Sequence, residues 1–187
     1  MSPSLPPVLL AVALTFGHCN PGTGSGGTGT TTPPEIVDEE EADAFPDWTI
    51  GVVDVHREEE IAQVLDVRVG EHADFDRMVF EFEASVPGYR VSYIDAPAIA
   101  CGTGHQVWIP GDAWLEVELY PARGHTEEGV PTVPFHTVEA DLPVLLEVER
   151  LCDYEAMVTW VAGAAVPNPF RVFELSDPPR LVVDIQH

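Results

Sequence analysis

The chain has 187 residues, 45% of them apolar, with 32 acidic side chains against 8 basic ones and a formal net charge of −24. This is enough apolar material for the core of one ordinary domain. All the basic residues are arginine, and so acidic a balance argues against a nucleic-acid partner, because holding phosphates needs cations that release counterions.

The first element is an apolar run, Val8 to Phe16 (VLLAVALTF), which ends three residues before Cys19. A spanning helix needs roughly 20 such residues, so the run has the length of a signal-peptide core. A Gly/Thr-rich tract follows, Asn20 to Pro34. Apolar run, cysteine, flexible tract and folded domain, in that order, is the layout of a bacterial lipoprotein. We therefore expect a lipoprotein-type leader over 1–18 and lipidation at Cys19, with ordinary secretion and a chance apolar N-terminus as the alternatives. The acidic run Glu35 to Asp47 (EIVDEEEADAFPD) continues the linker and should stay solvated. Residues 19–47 then form a tether of about 28 residues, which as a coil reaches roughly 30 Å.

The domain is expected over 48–187. Trp48 to Val55 is a first possible strand, and from Val64 onward the chain alternates in short segments: VLDVRV, MVFEFE, YRVSYI, QVWI, WLEVELY, MVTWVAG, FRVFEL and RLVVDI. LLEVERL (Leu145 to Leu151) reads as strand or helix. Alternation with period two, broken by Gly, Pro and Asp, predicts an all-β fold: a two-sheet antiparallel β-sandwich. Phe80, Phe82, Val158, Trp160, Val182 and Ile185 are expected to be mostly buried, with the phase of MVTWV left open. SDPP (Ser176 to Pro179) is a turn, since proline fixes φ and removes a ladder donor. Cys101 and Cys152 remain as an even pair in an exported domain and are expected to form a disulfide.

Four segments carry a family resemblance: DVRVGEHADFDRMVFEF, VPGYRVSYID, MVTWVAG and PFRVFELSDPPRLVVDI. Together they resemble the AMIN-like domain of exported and lipidated bacterial envelope proteins, and the last is similar to the end of the related AMIN domain. The resemblance implies a β-sandwich and an envelope role. AMIN domains target cell-wall amidases and secretins to peptidoglycan or the envelope.

The residues themselves offer little chemistry. No two of the histidines (18, 56, 72, 105, 125, 136 and 187) are spaced as HxH or HxxxH, so no metal or cofactor is expected. EHADFD (Glu71 to Asp76) gathers three carboxylates but lacks the glycine and terminal glutamate of a calcium loop. There is no GxSxG nucleophile motif. Arg77 is expected to pair with Asp74 or Asp76, Arg180 to pair across the last hairpin, and strand tryptophans to be core. The candidate binding residues are Tyr89, Arg90 and Arg171. The expected function is non-enzymatic binding or scaffolding in the envelope, with the cell wall or an envelope protein as partner and the membrane reached through a lipid anchor. An accessory role in a cell-wall hydrolase system and a Ca²⁺-dependent adhesion module are the alternatives.

Overall fold

A computed structural model describes residues 45–58 and 60–187. Among them there is no helix, and thirteen strands follow in order. They are β1 (Val53–Val55), β2 (Ala62–Glu71), β3 (Phe75–Phe82), β4 (Gly88–Ile94), β5 (Ala98–Ile99), β6 (Gln106–Val107), β7 (Ala113–Tyr120), β8 (Ala122–Arg123), β9 (Thr137–Glu139), β10 (Leu145–Tyr154), β11 (Met157–Ala164), β12 (Phe170–Leu175) and β13 (Arg180–Gln186). One sheet has the order β1-β4-β7-β11-β10-β9 and a second β12-β13-β3-β2-β8, and β5-β6 is a separate ribbon. Every pairing is antiparallel except the short β2–β8 contact. The expected all-β sandwich is the observed fold.

The alternation in the sequence places the core directly. In β3, Asp76, Met78, Phe80 and Phe82 are buried while the residues between them are half-buried. In β7, Ala113, Leu115, Val117 and Leu119 are buried. These rows face one another in a single apolar cluster with Val158, Trp160, Ala162, Phe170, Leu181, Val183 and Ile185. Asp76 opens the inward row of β3 and is fully buried. It accepts hydrogen bonds from the amides of Val144 at 2.7 Å and Leu145 at 2.9 Å. His187 Nε2 lies 2.9 Å from its other oxygen. A buried carboxylate must be matched by donors, and here the match fastens the start of β10 in one sheet to β3 in the other.

The phase of MVTWV is settled by its neighbours. Val158, Trp160, Ala162 and Ala164 face the main core, yet Thr159 and Val161 on the other face are buried too. The cover is the segment from Asp95 to Asp112, which carries β5 and β6 across the outside of the six-stranded sheet. Ala98, Ile109, Leu151 and Val161 form a second small core beneath it, with Ile94, Val107 and Trp114 against its sides. The close approach is possible because residue 163 is glycine. A Cβ there would sit 2.1 Å from the Pro110 carbonyl oxygen and 2.8 Å from Ile109, so any side chain would have to lift the segment.

Several local expectations are corrected. Only Val53–Val55 of the first possible strand is extended in a ladder, and QVWI contributes only Gln106–Val107. LLEVERL is strand. Trp160 is core, but Trp108 on the covering segment is 80% exposed. The six residues expected to be buried are all buried, Val182 on the outer face of its sheet opposite Val79 and Phe173 and the other five in the main core.

Cys101 and Cys152 are disulfide-bonded, with Cα atoms 5.2 Å apart. The bond ties the covering segment to β10, next to a 3.1 Å hydrogen bond from the Cys101 amide to the Leu151 carbonyl. Closing a loop of 51 residues restrains the unfolded chain by about 4 kcal/mol on the chain-entropy argument. The double variant Cys101→Ser/Cys152→Ser should therefore lose about 4 kcal/mol of stability in urea titration.

Candidate functional site

Two parts of the surface concentrate arginine and aromatic side chains, one on each sheet. The first is a cleft of about 210 Å³ lined by Asp54, His56, Tyr89, Arg90, Glu118, Tyr120 and Met157 among others. It lies where β1, β4 and β7 run side by side, with the registers Asp54↔Arg90 and Arg90↔Glu118. Gly88 lies where these strands crowd. A Cβ there would meet the Tyr120 carbonyl at 2.6 Å and the Val55 carbonyl at 3.0 Å, so glycine is what allows the strands to close up. Arg90 Nη1 donates to Asp54 at 3.0 Å, and its Nε lies 4.0 Å from Glu118. Tyr120 is 50% exposed and Met157 37% exposed.

Tyr89, by contrast, is buried. Its hydroxyl donates to Glu174 at 3.1 Å. Burial, and secondarily the Glu174 charge, pushes its phenol up to about 12, so it is a neutral donor. Arg57 completes the group. It donates to Glu174 at 2.8 Å and 3.1 Å, and to the carbonyls of Val86 at 2.9 Å and Pro87 at 3.0 Å. This network closes the seam between β4 in one sheet and β12 in the other.

The structure puts Arg171 elsewhere. It lies on the outer face of the five-stranded sheet, where Asp184 is fully buried between two arginines. Arg77 donates to Asp184 through Nε at 2.6 Å and Nη2 at 3.0 Å. Arg171 donates through Nε at 2.8 Å, with Nη2 also at 2.8 Å. Asp184 is thus the partner of Arg77, not Asp74 or Asp76. The registers Arg171↔Asp184 and Asp184↔Arg77 set three side chains in one row across β12, β13 and β3. Rings enclose the row: the Arg171 guanidinium lies 4.4 Å from the Phe45 centroid, 4.5 Å from Trp48 and 5.0 Å from Phe75. Arg180 does not pair across the hairpin either; its Nε donates to the Pro178 carbonyl at 3.1 Å.

So Arg90 stands over the cleft, Tyr89 borders it while its ring and hydroxyl are committed to the core and to Glu174, and Arg171 is on the opposite sheet. The aromatic cluster around Arg171 was hidden because Phe45 and Trp48 lie far from Phe75 and Phe173 in sequence; only the strand pairing joins them. The remaining outer surface of the six-stranded sheet is acidic. Burial, then neighbouring Glu118, raises the Glu116 carboxyl above its usual value. Burial, then Glu149 and Glu139, raises Glu147. Among the described residues no group of three His, Cys, Asp or Glu could hold a metal ion. The acidic stretch at Glu71 to Asp76 commits Asp76 to backbone amides and His187.

The order and content of these strands match a known family: the model for the AMIN-like domain aligns with residues 62–187. The chain belongs to the AMIN-like domain family. Membership makes it an envelope-associated binding module in the general sense. No curated protein and no solved structure matches the chain. In this AMIN-like domain the match begins at β2 and includes both faces of the sandwich, while β1, with its Asp54–Arg90 contact, lies upstream of it.

Two measurements check this picture. Asp184→Asn leaves two arginines facing a neutral amide in a buried site and should cost about 3–5 kcal/mol, read by urea titration. A carboxyl raised in the folded state weakens folding above its folded pKa, and that cost vanishes below its ordinary value of 4.5. Glu116→Gln and Glu147→Gln should therefore stabilise the protein at neutral pH, and the gain should disappear when the same titration is repeated below pH 4.5.

Proposed function

We propose that this AMIN-like protein is a non-enzymatic envelope lipoprotein whose domain binds peptidoglycan through the cleft at Arg90. The observation that carries the reading is the composition of that cleft. A half-exposed tyrosine, Tyr120, stands beside Arg90 over a glycine floor. An aromatic face flanked by charged donors and acceptors suits a sugar ring and its amides. Asp54 and Glu118 hold Arg90 in place from neighbouring strands. Tyr89 supports the floor of the cleft, and Arg171 organises the opposite face.

The proposal includes the domain division: a leader over 1–18, a tether over 19–47 and the binding domain over 48–187. Cys19 and the tether lie outside the described residues except for its last three, Phe45 to Asp47. The Val8–Phe16 run followed by Cys19 and a Gly/Thr tract supports lipidation at Cys19. Acyl chains supply about 0.8 kcal/mol per buried CH₂, so two or more chains anchor stably. The partner is then the cell wall, met from a membrane surface.

The acidic domain is not drawn to anionic wall polymers over distance, because like charges repel within a Debye length of about 8 Å. Binding must be local. Purified domain should co-sediment with isolated sacculi, and Arg90→Ala and Tyr120→Ala should each weaken that binding by about tenfold, or ~1.4 kcal/mol. A domain that stays in the supernatant at every ionic strength rejects peptidoglycan and leaves an envelope protein as the partner. In cells, Cys19→Ala should move the protein from the membrane fraction to the soluble exported fraction; membrane retention of that variant rejects the anchor.

A further inference from the structure

Between Asp95 and Asp112 the chain carries no Asp, Glu or Arg. Residues 156–170 are equally free of charge, but they include β11, which is buried along almost its whole length. The segment 96–111 is itself the cover, and much of it faces solvent. In a protein with a net charge of −24 an uncharged exposed segment needs a reason, because carboxylates are what keep the rest of this surface in water. The β5–β6 ribbon divides its side chains by face. Ala98 and Val107 are paired across it and lie in the small core with Ile109, Leu151 and Val161. Their chain neighbours Ile99, Gln106 and Trp108 therefore point outward, and all three are exposed, Trp108 by 80%. Each of the other tryptophans has a use: Trp48 stacks on Arg171 at 4.5 Å, Trp114 donates to the Ile109 carbonyl at 3.1 Å, and Trp160 fills the main core. The Trp108 indole has no hydrogen bond or ring contact among the described residues.

The backbone that presents this ring is fixed. Cys101 is bonded to Cys152 on β10. The Ala100 amide donates to the His105 carbonyl at 2.9 Å, the Gly104 amide to the Ala100 carbonyl at 3.0 Å, and the Asp112 amide to the Ala164 carbonyl at 3.0 Å. An apolar side chain held on a fixed backbone loses little freedom on binding. Carboxylates frame the ribbon. The registers Glu116↔Val161 and Glu149↔Val161 set one glutamate on each side of Val161, which the segment covers, and Glu147 lies opposite Gly163. Neighbouring glutamates help to raise the carboxyls of Glu116 and Glu147, so a cation brought to this frame relieves repulsion.

We propose that the ribbon is a docking knob for an envelope protein whose matching surface is an apolar pocket rimmed by lysine or arginine. An uncharged centre built on an exposed tryptophan, inside a charged rim, is the composition of a protein interface. A neutral sugar gains nothing from the acidic frame, and an anionic membrane surface is repelled by it. A second copy of this chain brings the same carboxylates against their like. The proposal does not rest on wall binding at the Arg90 cleft.

The test begins in cells, with the full chain carrying photoreactive p-benzoylphenylalanine in place of Gln106, or in place of exposed Glu83 beside β3 as the control. Irradiation should give an adduct with a second protein from position 106 and none from position 83, and adding Trp108→Ala should remove it. The partner, identified by mass spectrometry of the adduct and then purified, should bind the purified domain more weakly as salt rises. Trp108→Ala should weaken that binding by about thirtyfold, and the double variant Glu147→Gln/Glu149→Gln should slow association. Trp108→Ala should leave thermal unfolding unchanged, because the side chain is exposed. Ile99→Arg sets a cation against the partner's basic rim and provides the same reading if Trp108→Ala fails to fold. No adduct from position 106, adducts from both positions alike, or a purified partner that binds both variants as tightly as the original chain overturns the site. An adduct with a glycan strand, a lipid or a second copy of this chain overturns the protein partner. Binding that does not change with salt overturns its basic rim.

Discussion

The scarcity of cations is the constraint on which the rest of this structure depends. Only 8 arginines face 32 acidic side chains, so where each guanidinium goes decides which carboxylates can be taken out of water. The innermost positions are filled first. Asp184 is buried because Arg77 and Arg171 both reach it. Arg150 is buried under Trp160, with its Nη1 3.8 Å from Asp153 and its Nη2 3.2 Å from His136. Asp76 receives no arginine and is satisfied by two backbone amides and a histidine instead. Arg57 binds the seam between the sheets through Glu174. What remains, the glutamates of β7, β9 and β10, lies on the outer face of the six-stranded sheet with Arg90 near Glu118, and burial together with neighbouring glutamates raises the carboxyls of Glu116 and Glu147.

This distribution explains why the two outer faces differ. Ladder pairing sets residues of distant segments opposite one another, and the registers Arg171↔Asp184↔Arg77 join three segments that the sequence keeps apart. Once Asp184 is neutralised by two cations, one positive charge is left over in that row. The surrounding rings of Phe45, Trp48, Phe75 and Phe173 limit water and hold the guanidinium planes fixed. On the other sheet the scarce resource is apolar cover, and it is supplied by the disulfide-tied segment lying over Val161 and Gly163.

Much of the fold was legible because strand alternation reports burial. MVFEFE and WLEVELY announce their inner faces residue by residue, and Phe80, Phe82, Leu115, Val117 and Leu119 lie where that pattern puts them. The cysteine pair was legible from compartment and parity. MVTWVAG was ambiguous for a physical reason: a strand covered on both sides shows no alternation, and its second cover comes from a segment fifty residues earlier. Trp108 was misread as core because a large aromatic beside strand residues usually is core; its exposure follows from its place on that covering segment rather than in the sheet. β8 and β9 are too short for any periodicity to declare them.

The candidate site was legible only in part, since side-chain type marks candidates but register decides company. Tyr89 and Arg90 are adjacent in sequence and therefore point to opposite sides of β4. One is spent on Glu174 inside the seam while the other stands over the cleft. Tyr120 gave no signal of its own, yet it faces the cleft because β7 ends beside Gly88. Arg90 and Arg171 look equivalent in the sequence, each an arginine second in an alternating strand. They differ in what lies across the ladder: Arg90 meets two half-exposed carboxylates and keeps 45% of its side chain in solvent, whereas Arg171 meets a fully buried one and keeps 12%. An arginine is free to meet a ligand only to the extent that its own partner remains in water, and by that criterion the cleft at Arg90, not the clamp at Arg171, is where this domain can present a cation on the six-stranded sheet.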